Sequence, residues 1–339
     1  MKLERIKCKH FVHAQNIHQS PTYLVGCTGK RAVVLDREYE LVQNIDGLDY
    51  VYEVDFLRDE QEILLISTGN KFYIADLKTG NKQRVTVKTP YNDNLEGRGC
   101  WSHDGKSVLM LVTNSKNLQG ALRIYQKDDL AKYEDLLAGQ YQLLRIHRLG
   151  DGKTYLIIGR NDDGNRFIYY DGSDFTHYPL ADTEDQIVFN SEVDPQTGVV
   201  TIYSIEACYR YTPDGKLIKT IPHPSAKDEE NPLSIAVSPA VAEIPGITEA
   251  LNKLFDELGV EDMNSVESGD MVHKYGQSEC GRYFWMASES GFYVMDAETS
   301  EILAEVPEEY GVRNFEWVAE DVVALATWDG VKLYRLIHE

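Results

Sequence analysis

Gly69-Asn70-Lys71-Phe72-Tyr73-Ile74-Ala75-Asp76-Leu77-Lys78-Thr79-Gly80 is the stretch that decides the fold. A small residue opens it, an apolar strand follows, and Asp with a polar turn closes it. The phrase returns at Gly291-Phe292-Tyr293-Val294-Met295-Asp296-Ala297-Glu298-Thr299-Ser300, and weaker copies begin at Gly29, Gly120, Asn165, Ala207 and Gly330. Gly29 to Gly69 spans 40 residues and Gly291 to Gly330 spans 39. A four-stranded unit recurring every ~40–45 residues specifies a β-propeller, in which each blade buries its faces against its neighbours. Ala207 to Gly291 spans 84 residues, room for an extra blade or an insertion.

A second phrase precedes each of these. Trp101-Ser102-His103-Asp104-Gly105-Lys106-Ser107-Val108-Leu109 is its clearest copy, followed by Gly150-Asp151-Gly152-Lys153 and Ser278-Glu279-Cys280-Gly281-Arg282. Asp-Gly between two β-rich runs is a hairpin turn, because the turn demands positive φ. The paired phrases resemble the WD40 and YVTN-like propeller repeats over nearly the whole chain. The Gly-His dipeptide of WD40 blades is absent, and Trp328-Asp329 falls at a hairpin turn, so the resemblance is one of architecture. The expected fold is therefore all-β, one seven-bladed propeller over 1–339, with six and eight as the neighbouring counts. The blades fall at 10–45, 50–88, 95–139, 141–182, 186–223, 270–307 and 312–339. The last has room for three strands only, and 3–7 supplies a fourth that closes the ring and removes an open sheet edge.

Residues 224–269 interrupt the pattern. Ten acids face two lysines there, a net charge of −8. Ile247, Leu251, Leu254, Phe255 and Leu258 make one helical stripe, with Thr248 as N-cap and Gly259 as the stop. This acidic helical insertion presents Glu249, Asp256, Glu257, Glu261 and Asp262 to a partner or a solvated face. Residues 128–139 read as a short helix or decorated loop in the third blade.

Thirty-four basic against 55 acidic residues give a net charge of −21. Such a chain repels phosphate backbones, so nucleic acid is not the expected partner, and it attracts basic surfaces. There is no run of ~18 apolar residues, so no membrane helix is expected, and the charged start has no apolar run behind it, so no secretory signal is expected. Five scattered cysteines without CxxC read as reduced thiols of a cytoplasmic protein.

No nucleophile elbow, phosphate loop, dinucleotide fingerprint or zinc motif occurs, so no cofactor, metal or catalytic residue is assigned. His10, His13 and His18 read as incidental polar residues. The topology itself assembles one constellation, the central channel, to which the inner strands bring Glu53 with Asp55, Glu96 with Arg98, Arg145 with His147, Asn190 with Glu192, His273, and Asn314 with Glu316. Such a ring binds a cation or polar ligand, forms acid–base pairs, or neutralises itself around water. The twenty-one tyrosines suit both strand packing and interface anchoring. The function expected is a cytosolic, non-enzymatic binding protein for a basic protein partner, of inhibitor, immunity or scaffold type. The alternative is a propeller hydrolase or lactonase, or a small-molecule binder, working at the channel.

Overall fold

The structure, a computed structural model, describes residues 1–6, 16–67, 69–93, 98–181, 188, 190–194, 196–204, 207–222, 272–278, 282–297, 299, 301–307, 311–327 and 329–338. Seven four-stranded antiparallel sheets make up its regular structure. After β1 (Lys2–Ile6), blade 1 is β2 (Asn16–Gln19), β3 (Leu24–Cys27), β4 (Arg31–Leu35) and β5 (Leu41–Asp46). Blade 2 is β6 (Val51–Phe56), β7 (Glu62–Ser67), β8 (Lys71–Asp76) and β9 (Lys82–Thr86). Blade 3 is β10 (Gly99–Trp101), β11 (Ser107–Thr113), β12 (Gly120–Gln126) and β13 (Asp129–Leu136). Blade 4 is β14 (Gln142–Arg148), β15 (Tyr155–Asn161), β16 (Gly164–Tyr170) and β17 (Phe175–Pro179). Blade 5 is β18 (Asn190–Val193), β19 (Val200–Tyr203), β20 (Ala207–Tyr211) and β21 (Leu217–Pro222). Blade 6 is β22 (Val272–Gln277), β23 (Tyr283–Ser288), β24 (Gly291–Asp296) and β25 (Ile302–Pro307). Blade 7 is β26 (Asn314–Ala319), β27 (Val322–Thr327), β28 (Gly330–Ile337) and, as its outermost strand, β1.

The chain is thus an all-β, seven-bladed propeller, and the strands of each blade lie inside the expected spans, with β5 running one residue beyond. Closure comes from β1, which pairs antiparallel with β28 through Leu3↔Leu336 and Arg5↔Tyr334. The expected helix and its acids Glu249, Asp256, Glu257, Glu261 and Asp262 lie outside the described residues. Among the described residues no helix is long and apolar enough to cross a membrane.

The burial pattern follows from the stacking of blades. In β7, Ile63 and Leu65 join Val25, Val34 and Ile45 of blade 1, while Leu64 and Ile66 join Trp101, Val108 and Met110 of blade 3. Alternate side chains of one strand feed two different cores. A middle strand covered on both faces therefore reads as an unbroken apolar run. The ring closes through a third such core, where Leu24, Val33 and Leu35 of blade 1 meet Val322, Ala324, Ala326 and Leu333 of blade 7.

The repeated phrase has a local cause. Asp76 Oδ1 accepts the Thr79 N–H at 2.7 Å and the Thr79 hydroxyl at 2.8 Å, and Asp296 Oδ1 accepts the same pair from Thr299 at 2.9 and 3.2 Å. Each is an Asx turn that reverses the chain between the third and fourth strands. The opening glycine serves a different need, since Gly291, at φ +150°, leaves no room for a Cβ against the Val306 carbonyl.

Residues 128–139 correct the expectation. They form β13, the outer strand of blade 3, not a helix or decorated loop. Leu130, Tyr133 and Leu136 are spaced three apart and mimic a helical stripe, but an outer strand needs few buried residues. Tertiary contacts decide the outcome: Arg123 of β12 forks onto both Asp135 oxygens at 2.6 and 2.8 Å and stacks 4.1 Å from the Tyr133 ring centroid.

Candidate functional site

The first strand of each blade lies innermost, with β2, β6, β10, β14, β18, β22 and β26 forming the channel wall. Their side chains build a ring that mixes carboxylates with arginine, lysine and histidine. His18 Nδ1 of β2 stands 3.8 Å from Glu53 Oε1 of β6. Arg98, just before β10, donates from Nη1 to Glu53 Oε2 and lies 4.9 Å from the Tyr52 ring centroid. Arg145 of β14 is buried and donates to the Leu144 carbonyl at 2.7 Å. His147 of the same strand meets the Ser191 hydroxyl of β18 at 2.7 Å.

On the far side Lys274 of β22 is the hub. Its Nζ is 3.2 Å from Glu192 Oε1 of β18 and 3.0 Å from Glu316 Oε1 of β26, and it donates to the Phe315 carbonyl at 2.9 Å. One buried ammonium from blade 6 thereby ties blade 5 to blade 7. Glu192 also accepts the Tyr203 hydroxyl at 2.8 Å. A separate strut sits near the last residues of the inner strands. There Arg148 lies 3.2 Å from both Asp55 oxygens, and the Trp101 N–H donates to Asp55 Oδ2 at 2.8 Å.

These partners set the protonation states. Burial works to raise the Glu53 carboxyl, but Arg98 and His18 outweigh it and hold it below its ordinary value. Burial opposes ionisation of Glu192 too, and Lys274 and Tyr203 reverse the balance. Lys274 is pushed up, because Glu316 and Glu192 overcome its burial. Burial pulls His147 down to about 4 and also lowers His18. Asp55 goes the other way, since burial lifts it to about 6 against the pull of Arg148. At neutral pH Glu53 and Glu192 are thus held ionised, Lys274 is held cationic, and the His147 imidazole is neutral.

The structure brings Glu53, Arg98, Arg145, Glu192 and Glu316 together, as the alternation of inner strands implies. Glu96 lies outside the described residues. His273 does not join the ring: its Nε2 meets Glu289 Oε1 at 2.9 Å, on the loop between β23 and β24. The register shift between Val272 and Lys274 gives the channel position to Lys274 instead. Sequence reasoning missed Lys274, because strict alternation from His273 points it into the sheet. It also set His18 aside, although the start of blade 1 needs an inner strand and His18 is the titratable residue on it. His10 and His13 lie outside the described residues. No group of three or more His, Cys, Asp or Glu is placed to hold a metal ion among the described residues.

No protein-family model and no curated protein matches the chain. Solved structures do match it, 1581 chains in all, so the likeness identifies a widely used architecture and not one activity. One is the β-propeller domain of Cps50 (Swd1) from Myceliophteria thermophila, with TM-score 0.64 at 10% identity, covering 99% of this chain and 100% of that one. At that identity the likeness carries the fold alone, and the chain has a WD40-like seven-bladed propeller architecture.

Proposed function

We propose that this chain is a non-enzymatic, protein-binding propeller of the cytosol that engages a partner with a basic surface. The observation that carries this reading is the pairing of the channel charges. Glu53 and Glu192 are each satisfied by a cation and held ionised, which suits a binding surface and not a group that trades its proton. Asp55, a channel carboxyl lifted toward neutrality, has both oxygens engaged by Arg148 and Trp101. A hydrolase would need such a carboxyl free.

The net charge of −21 supports the basic partner once its structural share is set aside. Asp36, Asp59, Asp76, Asp104, Asp129, Asp151, Asp171, Asp194 and Asp296 each accept backbone N–H groups within their own turns. These charges are explained by hairpin geometry. The acids of 224–269, between blades 5 and 6 in sequence, concentrate a charge of −8. Glu249, Asp256, Glu257, Glu261 and Asp262 serve as the partner-facing set in this reading, with a basic enzyme to be neutralised as one form of partner. Charge complementarity of this kind speeds encounter and selects partners. Cys27, Cys100 and Cys208 are buried free thiols, in keeping with a reducing compartment.

Affinity capture on the immobilised chain tests the proposal. At low salt a protein with a basic surface is captured and identified, and about 0.5 M salt releases it. The variant Glu249→Gln, Asp256→Asn, Glu257→Gln, Glu261→Gln, Asp262→Asn captures less of that same protein. Capture that is indifferent both to salt and to the five substitutions rules the proposal out.

A further inference from the structure

The outer strand of blade 2 departs from the charge of the molecule around it. Lys82-Gln83-Arg84-Val85-Thr86-Val87-Lys88 carries three cations and no acid in a chain of net charge −21. Among the seven outer strands, β9 holds two cations without an acid, β1 and β21 come to one net cation each, β17 to none, and β5, β13 and β25 are negative. Lys82, Arg84, Thr86 and Lys88 are exposed. Arg84 pairs across the strands with Tyr73 and Lys82 with Ala75, which sets both cations on the face toward blade 1, where Tyr73 and Ala75 pack. The carboxylates on that side are already taken, Asp49 by Lys71 at 2.8 Å and Asp46 by Arg31 at 2.5 Å. Lys82 Nζ donates to the Asp46 carbonyl, and Arg84 has no ion pair among the described residues.

The backbone of the same strand supplies a second, independent observation. The sheet order β6-β7-β8-β9 gives β9 one strand neighbour among the described residues, so half of its N–H and C=O groups point outward. Its register against β8 runs unbroken from Lys71↔Thr86 to Ala75↔Lys82. The outer strands of blades 1, 3, 5 and 6 each carry a register shift against their neighbour. Such bulges twist an edge away from further pairing, and β9 lacks that protection. The edges β1 and β17 are also regular, but β1 pairs its own Lys2 with Glu4, and β17 has no lysine or arginine. Charge guards β9 instead. Like charges set opposite one another repel, so a second copy of β9 is refused, whereas a strand bearing carboxylates is attracted.

We propose that β9 takes an extended acidic segment of another protein as a fifth strand of blade 2. Main-chain hydrogen bonds hold the added strand, and its Glu or Asp side chains at alternate positions meet Lys82 and Arg84. The residues between them lie on the opposite face, beside Val85 and Val87 at the margin of the core between blades 2 and 3. The net charge of −21 does not prevent this at physiological salt, because charges more than ~8 Å away are largely screened and the local cations set the field. The inference goes beyond the binding reading above: it concerns other residues, a partner surface of opposite sign, and does not depend on the acidic set.

The test uses a fluorescein-labelled peptide of sequence Thr-Glu-Val-Glu-Val-Glu-Thr, read by fluorescence anisotropy on the full chain at about 0.15 M salt. Two controls accompany it: the peptide with Gln for every Glu, and the acidic peptide N-methylated at alternate residues, which keeps the charge and removes the N–H groups that pair. The acidic peptide binds, and each control binds about tenfold more weakly or not at all. Lys82→Gln/Arg84→Gln weakens the acidic peptide by about tenfold. Should that variant fail to fold, hydrogen exchange on the unaltered protein decides, through amides of residues 82–88 slowed by the acidic peptide. Equal binding of the acidic and glutamine peptides overturns the inference. So does an N-methylated peptide that binds as tightly as its parent, which means attraction of any polyanion, and so does slowed exchange confined to other strands.

Discussion

Lys274 shows how much one side chain can decide. Its ammonium is buried and satisfied by Glu192, Glu316 and the Phe315 carbonyl, so three consecutive blades converge on one atom. Removing one member of a buried ion pair costs ~3–5 kcal/mol, and the lumen exposure of Glu192 reduces that through solvent screening. Lys274→Met is therefore expected to destabilise the fold by about 2–3 kcal/mol, read as a lower urea midpoint. The triple variant Lys274→Met/Glu192→Gln/Glu316→Gln recovers most of the loss, because no uncompensated carboxylate remains. A triple variant no more stable than Lys274→Met would mean that packing, not charge, gives Lys274 its importance. His18 matters at the same scale for the opposite reason, since its Nε2 lacks a partner.

At the scale of elements, the Asx turns link sequence, fold and pH. Asp76 is held below its ordinary value by the Thr79 N–H, Asp171 by the Asp174 N–H and Asp194 by the Thr197 N–H. Hydrogen bonds to Thr154 and Lys153 take Asp151 down to about 2 against its burial. Carboxyls depressed in the folded state stabilise it above the unfolded value of ~3.9 and lose that contribution as pH falls through the folded value. Stability is expected to decline between about pH 4 and pH 2, measured as urea midpoints across that range. Asp55, raised to about 6, acts in the opposite sense: its contribution is complete below pH ~4 and is lost as pH rises through 6. Asp76→Ala removes the turn acceptor and lowers the midpoint at neutral pH, whereas Asp76→Asn keeps the acceptor and lowers it less. Equal midpoints for the two variants would exclude the turn hydrogen bond as the source of the repeated aspartate.

The whole molecule depends on ring closure. The strand β1 covers the edge of β28, and Leu3 packs near Leu336 on the blade 6–blade 7 core. Deleting residues 1–6 leaves β28 as an open edge. An uncovered edge invites pairing with another chain. The expected outcome is self-association on a sizing column with light scattering, and a thermal midpoint lower by about 5–10 °C. A truncated chain that stays monomeric with an unchanged midpoint would show that the inter-blade cores alone hold the ring, and β1 only decorates it.

Repetition made the architecture legible in the amino acids. Strand alternation, Asx turns and Asp-Gly hairpins act over a few neighbouring residues, so their pattern survives in one dimension, and seven copies reinforce one another. The inner-strand carboxylates Glu53, Glu192 and Glu316 were legible for the same reason, because β-strand periodicity points them inward once the blades are counted. Three features were settled by tertiary structure alone. A register shift turned Lys274 into the channel in place of His273. The contacts of Arg123 drew 129–136 into a strand despite its helical spacing. The depth at which each charge sits left Glu192 half exposed and Lys274 buried. Each of these depends on residues far apart along the chain meeting across blades, and local pattern carries no record of such meetings.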